Sequence, residues 1–136
     1  NHLDSQQYQK HLQQKEITIL VSTPYMDEAV LCDRVALLQN GKIMDVDTPA
    51  RITEKFPRRI IQARSTNMYK LINDLRAFEK AESVFAFGQF VHFTGIDDEV
   101  ESNELDIYLH NLGHEDVLVE EIHPEIEDVF MELMRE

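Results

Sequence analysis

One cysteine, Cys32, stands in 136 residues. A lone thiol cannot close an internal disulfide, which excludes a disulfide-stapled scaffold and accords with a reducing cytosol. Apolar runs are short, and none approaches the roughly 20 residues that a membrane-spanning helix needs. No basic-then-apolar leader is present, so no secretory signal is visible. The first residue is Asn1 rather than Met, and the expectation is that these residues belong to something longer. Low-complexity segments and internal repeats are also missing. Positive charge is scarce and unevenly spread. The chain holds 13 Lys/Arg against 26 Asp/Glu, a formal charge of −13. Residues 1–57 hold 6 against 8, and residues 58–136 hold 7 against 18. From Asp97 onward Arg135 is the only Lys or Arg. Such a surface repels phosphate backbones and anionic headgroups, which argues against a nucleic-acid partner. What is present is 43% hydrophobic residues, in a length that suits one ordinary domain or two very small ones.

The first half punctuates itself clearly. Asp4 or Ser5 suits the cap of a short helix through Gln14. Glu16–Thr23 carries Ile17, Ile19, Leu20 and Val21 with little polar alternation, the pattern of a strand buried on both faces of a parallel sheet. Pro24 then suits the first helical position, with Thr23 as cap and Asp27 and Glu28 in the first turn. The C-terminal end of such a strand is where open α/β sheets bind ligands. Asn40-Gly41 between two apolar-rich runs predicts a tight hairpin, because both residues tolerate positive φ. Thr48 and Pro49 predict a capped short helix ending near Phe56.

The second half changes composition near Phe56–Arg59 and then keeps a regular rhythm. Strands are expected at Arg59–Ala63, Ser83–Phe87, Phe90–Thr94 and Val117–Ile122. Met68, Leu71, Ile72 and Leu75 follow helical spacing, as do Leu105, Tyr108, Leu109 and Leu112, with Gly113 as a terminator. Pro124 opens a final helix carrying Ile126, Val129, Phe130 and Leu133. The β-α-β-β-α-β order is the ferredoxin-like pattern.

"EITILVSTPYMDEAVLCDRVALLQNGKIMDVDTP" closely resembles the end of the ATP-binding subunit of ATP-binding cassette (ABC) transporters. The resemblance rests on Ser22-Thr23, Tyr25 to Ala29, Cys32-Asp33-Arg34, Asn40-Gly41-Lys42 and Asp47-Thr48-Pro49. "HPEIEDVFMEL", residues 123–133, resembles the tail common in the branch that exports drugs, antibiotics or lipids. The resemblance implies a fold class of α+β with an α/β part. Residues 1–57 would be a truncated nucleotide-binding-domain remnant, and residues 58–136 a ferredoxin-like accessory or regulatory domain with a C-terminal helix. It implies ATP and Mg as cofactors of the intact parent, a second copy of the subunit and a membrane permease as partners, and a cytoplasmic place beside the membrane.

The departure lies at position 24. Where the family carries its switch histidine, this chain has Pro24, flanked by Ser22 and Thr23. Proline offers no side-chain donor, acceptor or titratable group. No G-x-x-x-x-G-K-[ST] phosphate loop, no Leu-Ser-Gly-Gly-Gln-like signature and no strand ending in Asp-Glu is present. His2-Leu3-Asp4 is a faint match to the loop after that acidic pair, with Asp4 as its remnant. No catalytic residue and no ATP hydrolysis is therefore expected of these residues alone. The alternative reading is a free-standing ferredoxin-like module that binds or senses a small molecule. An acylphosphatase-like hydrolase is disfavoured, because "RSTN" after Ala63 is too short and Gly-poor to cradle phosphate. An unpaired inner strand would also make the chain self-associate through its first half.

The remaining clusters read as structural. His110 and His114 are spaced i,i+4, but Gly113 separates them, and no Cys completes a zinc pattern with any of the six histidines. No metal site is expected. "GIDDEVESNE", residues 95–104, lacks the order of a calcium loop and reads as a solvated turn and helix start. Phe85, Phe87, Phe90 and Phe93 divide between the core and the other face of the expected hairpin. Cys32 reads as a small buried hydrophobe.

Overall fold

The computed structural model describes Gln7 and residues 17–135. They fall into two compact units, one holding the described residues through Phe56 together with Glu125 onward, the other Pro57–Pro124. The first unit is built on a hairpin of β1 (Val35–Gln39) and β2 (Lys42–Asp47). Asn40 and Gly41 turn it with φ of 51° and 76°, the left-handed pair that a two-residue hairpin demands. Thr48 then caps α2 (Pro49–Glu54), its hydroxyl accepting from the Arg51 amide at 3.2 Å. A short α1 (Met26–Ala29) precedes the hairpin. The last helix, α5 (Ile126–Met134), opens with a reciprocal capping box between Glu125 and Asp128. Ala29, Leu37, Ile52, Ile126 and Val129 form the core of this unit, with Met26, Val35, Met44, Phe56 and Leu133 packed around it. The expected division at residue 57 therefore needs a correction. Helix α5 belongs with the first unit, because Ile126 and Val129 find their apolar partners on α1, β1 and α2.

The expected inner strand is also corrected. Residues 17–23 are neither strand nor helix, and Leu20 is 98% exposed. A strand of that composition needs a neighbour on each edge, and among the described residues the first unit offers only β1 and β2, paired with each other. Pro24 does not begin a helix either: α1 starts at Met26 with Tyr25 at its cap position. Glu16 and the helix expected from Asp4 or Ser5 through Gln14 lie outside the described residues, Gln7 excepted.

The second unit contains β3 (Ile60–Arg64), α3 (Met68–Arg76), β4 (Ala81–Phe87), β5 (Phe90–Gly95), α4 (Ser102–Asn111) and β6 (Leu118–Ile122), with a 3₁₀ turn at Ile96–Asp98. The sheet order is β4-β5-β3-β6, and every pairing is antiparallel. Residues directly opposite share a face, so Ile61, Phe93 and Val84 line one side while Gln62, His92 and Phe85 line the other. Helix α3 supplies Leu71 and Leu75 and α4 supplies Leu105 and Leu109, each pair four residues apart and thus on one stripe. All four are fully buried against Ile61, Ala63, Val91 and Phe93. Phe78 joins the helices to the sheet by edge-to-face contacts with Phe93 and Tyr108. Of the four clustered phenylalanines only Phe93 enters this core; Phe85, Phe87 and Phe90 are half-buried on the other face. The described chain is thus a mixed α+β structure with two antiparallel sheets. Among the described residues, no helix is long and apolar enough to cross a membrane.

Gly95 closes β5 under a tight steric limit. A Cβ there would stand 2.6 Å from Val100 Cγ2 and 2.9 Å from Val100 Cβ, and Val100 is itself buried. Gly95→Ala is expected to lower stability by about 1–3 kcal/mol, the usual penalty for overpacking. An unchanged urea midpoint would show that the Val100 contact does not constrain this position.

Candidate functional site

The junction singled out in the sequence is a pinned turn. The Thr23 hydroxyl oxygen accepts the Tyr25 amide at 3.0 Å and donates to Glu28 Oε1 at 2.6 Å. This is the local hydroxyl-to-backbone turn that competes with helix formation, and it explains why α1 waits until Met26. Glu28 is buried, whereas Ser22 and Pro24 are exposed. Of the residues expected at the site, Ser22, Thr23 and Pro24 sit together on this turn, and Asp4 lies outside the described residues. The polar groups around the turn include the acids Asp27 and Glu28, which do not suit a phosphate.

Downstream, the Asp47-Thr48-Pro49 motif forms a second local network. Asp47 is held below the usual carboxylate range first by the Thr48 amide and then by Lys55. Lys55 Nζ bridges Asp45 at 3.0 Å and Asp47 at 3.1 Å, which raises the affinity of its amine for a proton. These groups face solvent, and their role is to tie β2 to the end of α2.

The most organised polar cluster was missed by the sequence reading. His114 was expected to be structural or solvent-facing, paired in sequence with His110. The structure separates them. His110 is exposed beside Asp106, while the His114 side chain is 1% exposed. His114 Nε2 lies 2.7 Å from Asp74 Oδ2, and Nδ1 lies 3.0 Å from Ser65 Oγ. Lys70 Nζ donates to the same Asp74 oxygen at 2.8 Å and to the Leu112 carbonyl at 2.8 Å. The Tyr108 hydroxyl donates to the Asp74 carbonyl at 2.6 Å. Asp74 and His114 are 40 positions apart and Ser65 and His114 are 49 apart. No short-range motif could announce them. Only the sheet order, which brings the ends of β3 and α4 together, places them in contact.

Burial pushes the Asp74 carboxyl up, but the hydrogen bonds from Lys70 and His114 outweigh it and hold the group below the ordinary aspartate range. Ser, His and Asp are the residue types of a nucleophilic relay. Here the serine is buried at 6% exposure, and the Asn67 carbonyl lies 3.3 Å from its hydroxyl as a second acceptor. The imidazole is enclosed. The arrangement therefore binds α3 to the turn after α4 and does not present a nucleophile.

Other candidates resolve into packing. His92 is buried, stacked on Phe87 with ring centroids 4.1 Å apart, and bonded to Gln62 at 3.2 Å. The acidic 95–104 segment is the solvated turn and helix start expected, with Asp97, Glu99 and Glu101 exposed. Asp98 accepts the Arg59 amide at 2.8 Å, and the Arg59 guanidinium pairs with Glu101 at 2.9 Å and Glu121 at 3.3 Å. Burial pushes the Cys32 thiol up, helped by Asp33 and Glu28, so it is a poor nucleophile. Among the described residues, no three His, Cys, Asp or Glu side chains converge as a metal site.

Asp74→Ala is expected to cost about 1–3 kcal/mol at pH 7, because it strands the buried His114 Nε2–H donor. A carboxyl with a depressed folded pKa stabilises above its unfolded value and loses that contribution as pH falls through the folded one. The gap between wild type and variant should therefore close below about pH 4. Denaturation of both proteins between pH 2 and 7 checks this; a gap that stays constant with pH would rule out the charged hub. No protein-family model matches the chain, and no curated protein matches it.

Proposed function

We propose that this chain is the C-terminal part of the ATP-binding subunit of an ABC exporter. The first unit would be the tail of the ATPase domain, and Pro57–Pro124 a ferredoxin-like accessory domain that regulates the subunit or contacts its second copy. One observation carries this reading. The two stretches with family resemblance, residues 16–49 and 123–133, are far apart in sequence, yet they contribute Ala29, Leu37, Ile126 and Val129 to one core. A chance likeness in either stretch gives no reason for them to pack together. The sheet order β4-β5-β3-β6 with two helices on one face supports the ferredoxin-like assignment of the second unit.

In this reading the residues present do not make a nucleotide site. There is no phosphate-cradling loop, and position 24 lacks a group that could touch a phosphate or order a water. ATP and Mg would be held by the parent's other residues, across two copies of the subunit on the cytoplasmic side of a permease. Ser22, Thr23 and Pro24 would supply the junction and its shape, with Thr23 pinning it.

Exposed apolar side chains support the partner assignment. Leu20, Leu38 and Ile43 are 98%, 58% and 64% exposed, and both strands of the hairpin have a free edge among the described residues. Such surfaces recruit other chains. The isolated chain is expected to self-associate, and sedimentation showing a strict monomer at high concentration would count against this.

The purified chain should not hydrolyse ATP. The coding region upstream of Asn1 should hold a phosphate loop, a signature and an acidic pair; an upstream region without them would overturn the proposal. In the intact subunit, Pro24→His should raise ATP turnover by about 10²-fold, the scale of one preorganised transition-state group. Unchanged turnover would remove the switch role from this position.

A second reading draws on the closed core of the second unit, namely a free-standing ferredoxin-like module that binds or senses a small molecule. Thermal shift of the full chain against a metabolite panel separates the two: a specific stabilising ligand combined with no upstream ATPase motifs would favour the module.

A further inference from the structure

The Lys70–Asp74–His114–Ser65 cluster has a property that follows from its donors and acceptors, independently of the transporter reading. Asp74 Oδ2 receives both Lys70 Nζ at 2.8 Å and His114 Nε2 at 2.7 Å. A carboxylate there only accepts, so Nε2 must carry a proton whatever the charge of the ring. Lys70 Nζ stands 3.3 Å from Nε2, and as an obligate donor it too is served by Asp74. The proton that distinguishes a cationic from a neutral ring is then the one on Nδ1, which faces Ser65 Oγ at 3.0 Å.

Ser65 is suited to both states. With Nδ1 bare, the hydroxyl donates to it. With Nδ1 protonated, the ring donates to Oγ, and the hydroxyl rotates to the Asn67 carbonyl at 3.3 Å. Each buried polar atom keeps a partner in both arrangements, so neither state incurs the penalty of an unpaired group. The charged and titratable groups around the ring are Asp74 and Lys70 from α3, and from the α4 side Tyr108, which reaches the Asp74 carbonyl. Glu115, next in the chain, engages through its backbone carbonyl, which accepts the Thr66 amide at 3.1 Å.

We propose that this cluster is a charge-tolerant clasp: Asp74 fixes the imidazole, and the Ser65 hydroxyl acts as a rotor that keeps α3 joined to the turn after α4 whether His114 is neutral or cationic. Ser65 is thus a positioning residue, and its loss should expose a pH dependence that the wild type suppresses.

The experiment compares wild type, Ser65→Ala and Ser65→Thr in the full chain by denaturation at pH 8 and pH 5.5, with ¹⁵N imidazole spectra of the wild type. In Ser65→Ala the Nδ1 proton has no acceptor, so the folded variant takes up that proton less readily than wild type. Its deficit relative to wild type must therefore be larger at pH 5.5 than at pH 8. The expected result is an unfolding constant, relative to wild type, at least about tenfold higher at pH 5.5 than at pH 8, the scale of a hydrogen bond to a charged group. Ser65→Thr, which keeps the hydroxyl, should follow the wild type at both pH values. The wild-type spectrum at pH 8 should show His114 protonated at Nε2 alone. A deficit independent of pH, or a neutral ring protonated at Nδ1, would overturn the proposal. The spectrum decides the matter even if Ser65→Ala does not fold.

Discussion

Antiparallel pairing of β3 on both its edges is the constraint on which the second unit depends. The strand meets β5 on one side and β6 on the other, so its backbone donors and acceptors are used by the sheet. Its side chains must then serve two faces. Ile61 and Ala63 point to the helices and are buried to 1% and 0% exposure, which leaves room there only for apolar partners. Helices α3 and α4 answer with leucine pairs on one stripe each. At roughly 25 cal/mol per Å² of buried apolar surface, this dry interface is the main stabilising contribution of the unit.

The same pairing accounts for where the polar groups go. Once the helices cover the sheet, polar side chains at their ends are removed from water and must be satisfied internally. Among the described residues, no buried side-chain nitrogen or oxygen lacks a partner. His114, Asp74, Lys70 and Ser65 meet this requirement at one end of the helix layer, and Arg59 gathers Glu101 and Glu121 elsewhere on the same unit. Lys70 gains only a modest amount, since its side chain is 43% exposed and the pair is screened by solvent. His114 depends on the network most, because its ring is enclosed.

Local features were legible in the sequence, and long-range ones were not. Asn40-Gly41 and Thr48-Pro49 encode a turn and a cap through their own φ preferences and hydrogen bonds, and both formed as read. The leucine spacing of α3 and α4 and the order of the second unit's strands also followed from periodicity. Glu16–Thr23 failed because strand propensity reports fitness for a sheet and cannot supply the neighbours. Pro24 failed as a helix start because the Thr23 hydroxyl captured the Tyr25 amide. Helix α5 was recognised as a helix but assigned to the wrong unit, since an apolar stripe does not name the surface it will cover. The buried cluster lay beyond reach altogether: its members are ordinary polar residues until the fold joins them.

The split character of the first unit has a consequence for biosynthesis. Its core needs Ile126 and Val129 from α5 as well as Ala29, Leu37 and Ile52, whereas the intervening unit uses one continuous stretch, Pro57–Pro124. Chains emerge from the ribosome amino end first, at about 5–20 residues per second. The middle portion can thus mature while the nascent hairpin before it still lacks its lid. During that interval Leu37 and Ile52 are without their closing helix, and the newborn polypeptide is at its most vulnerable to aggregation and to chaperone capture.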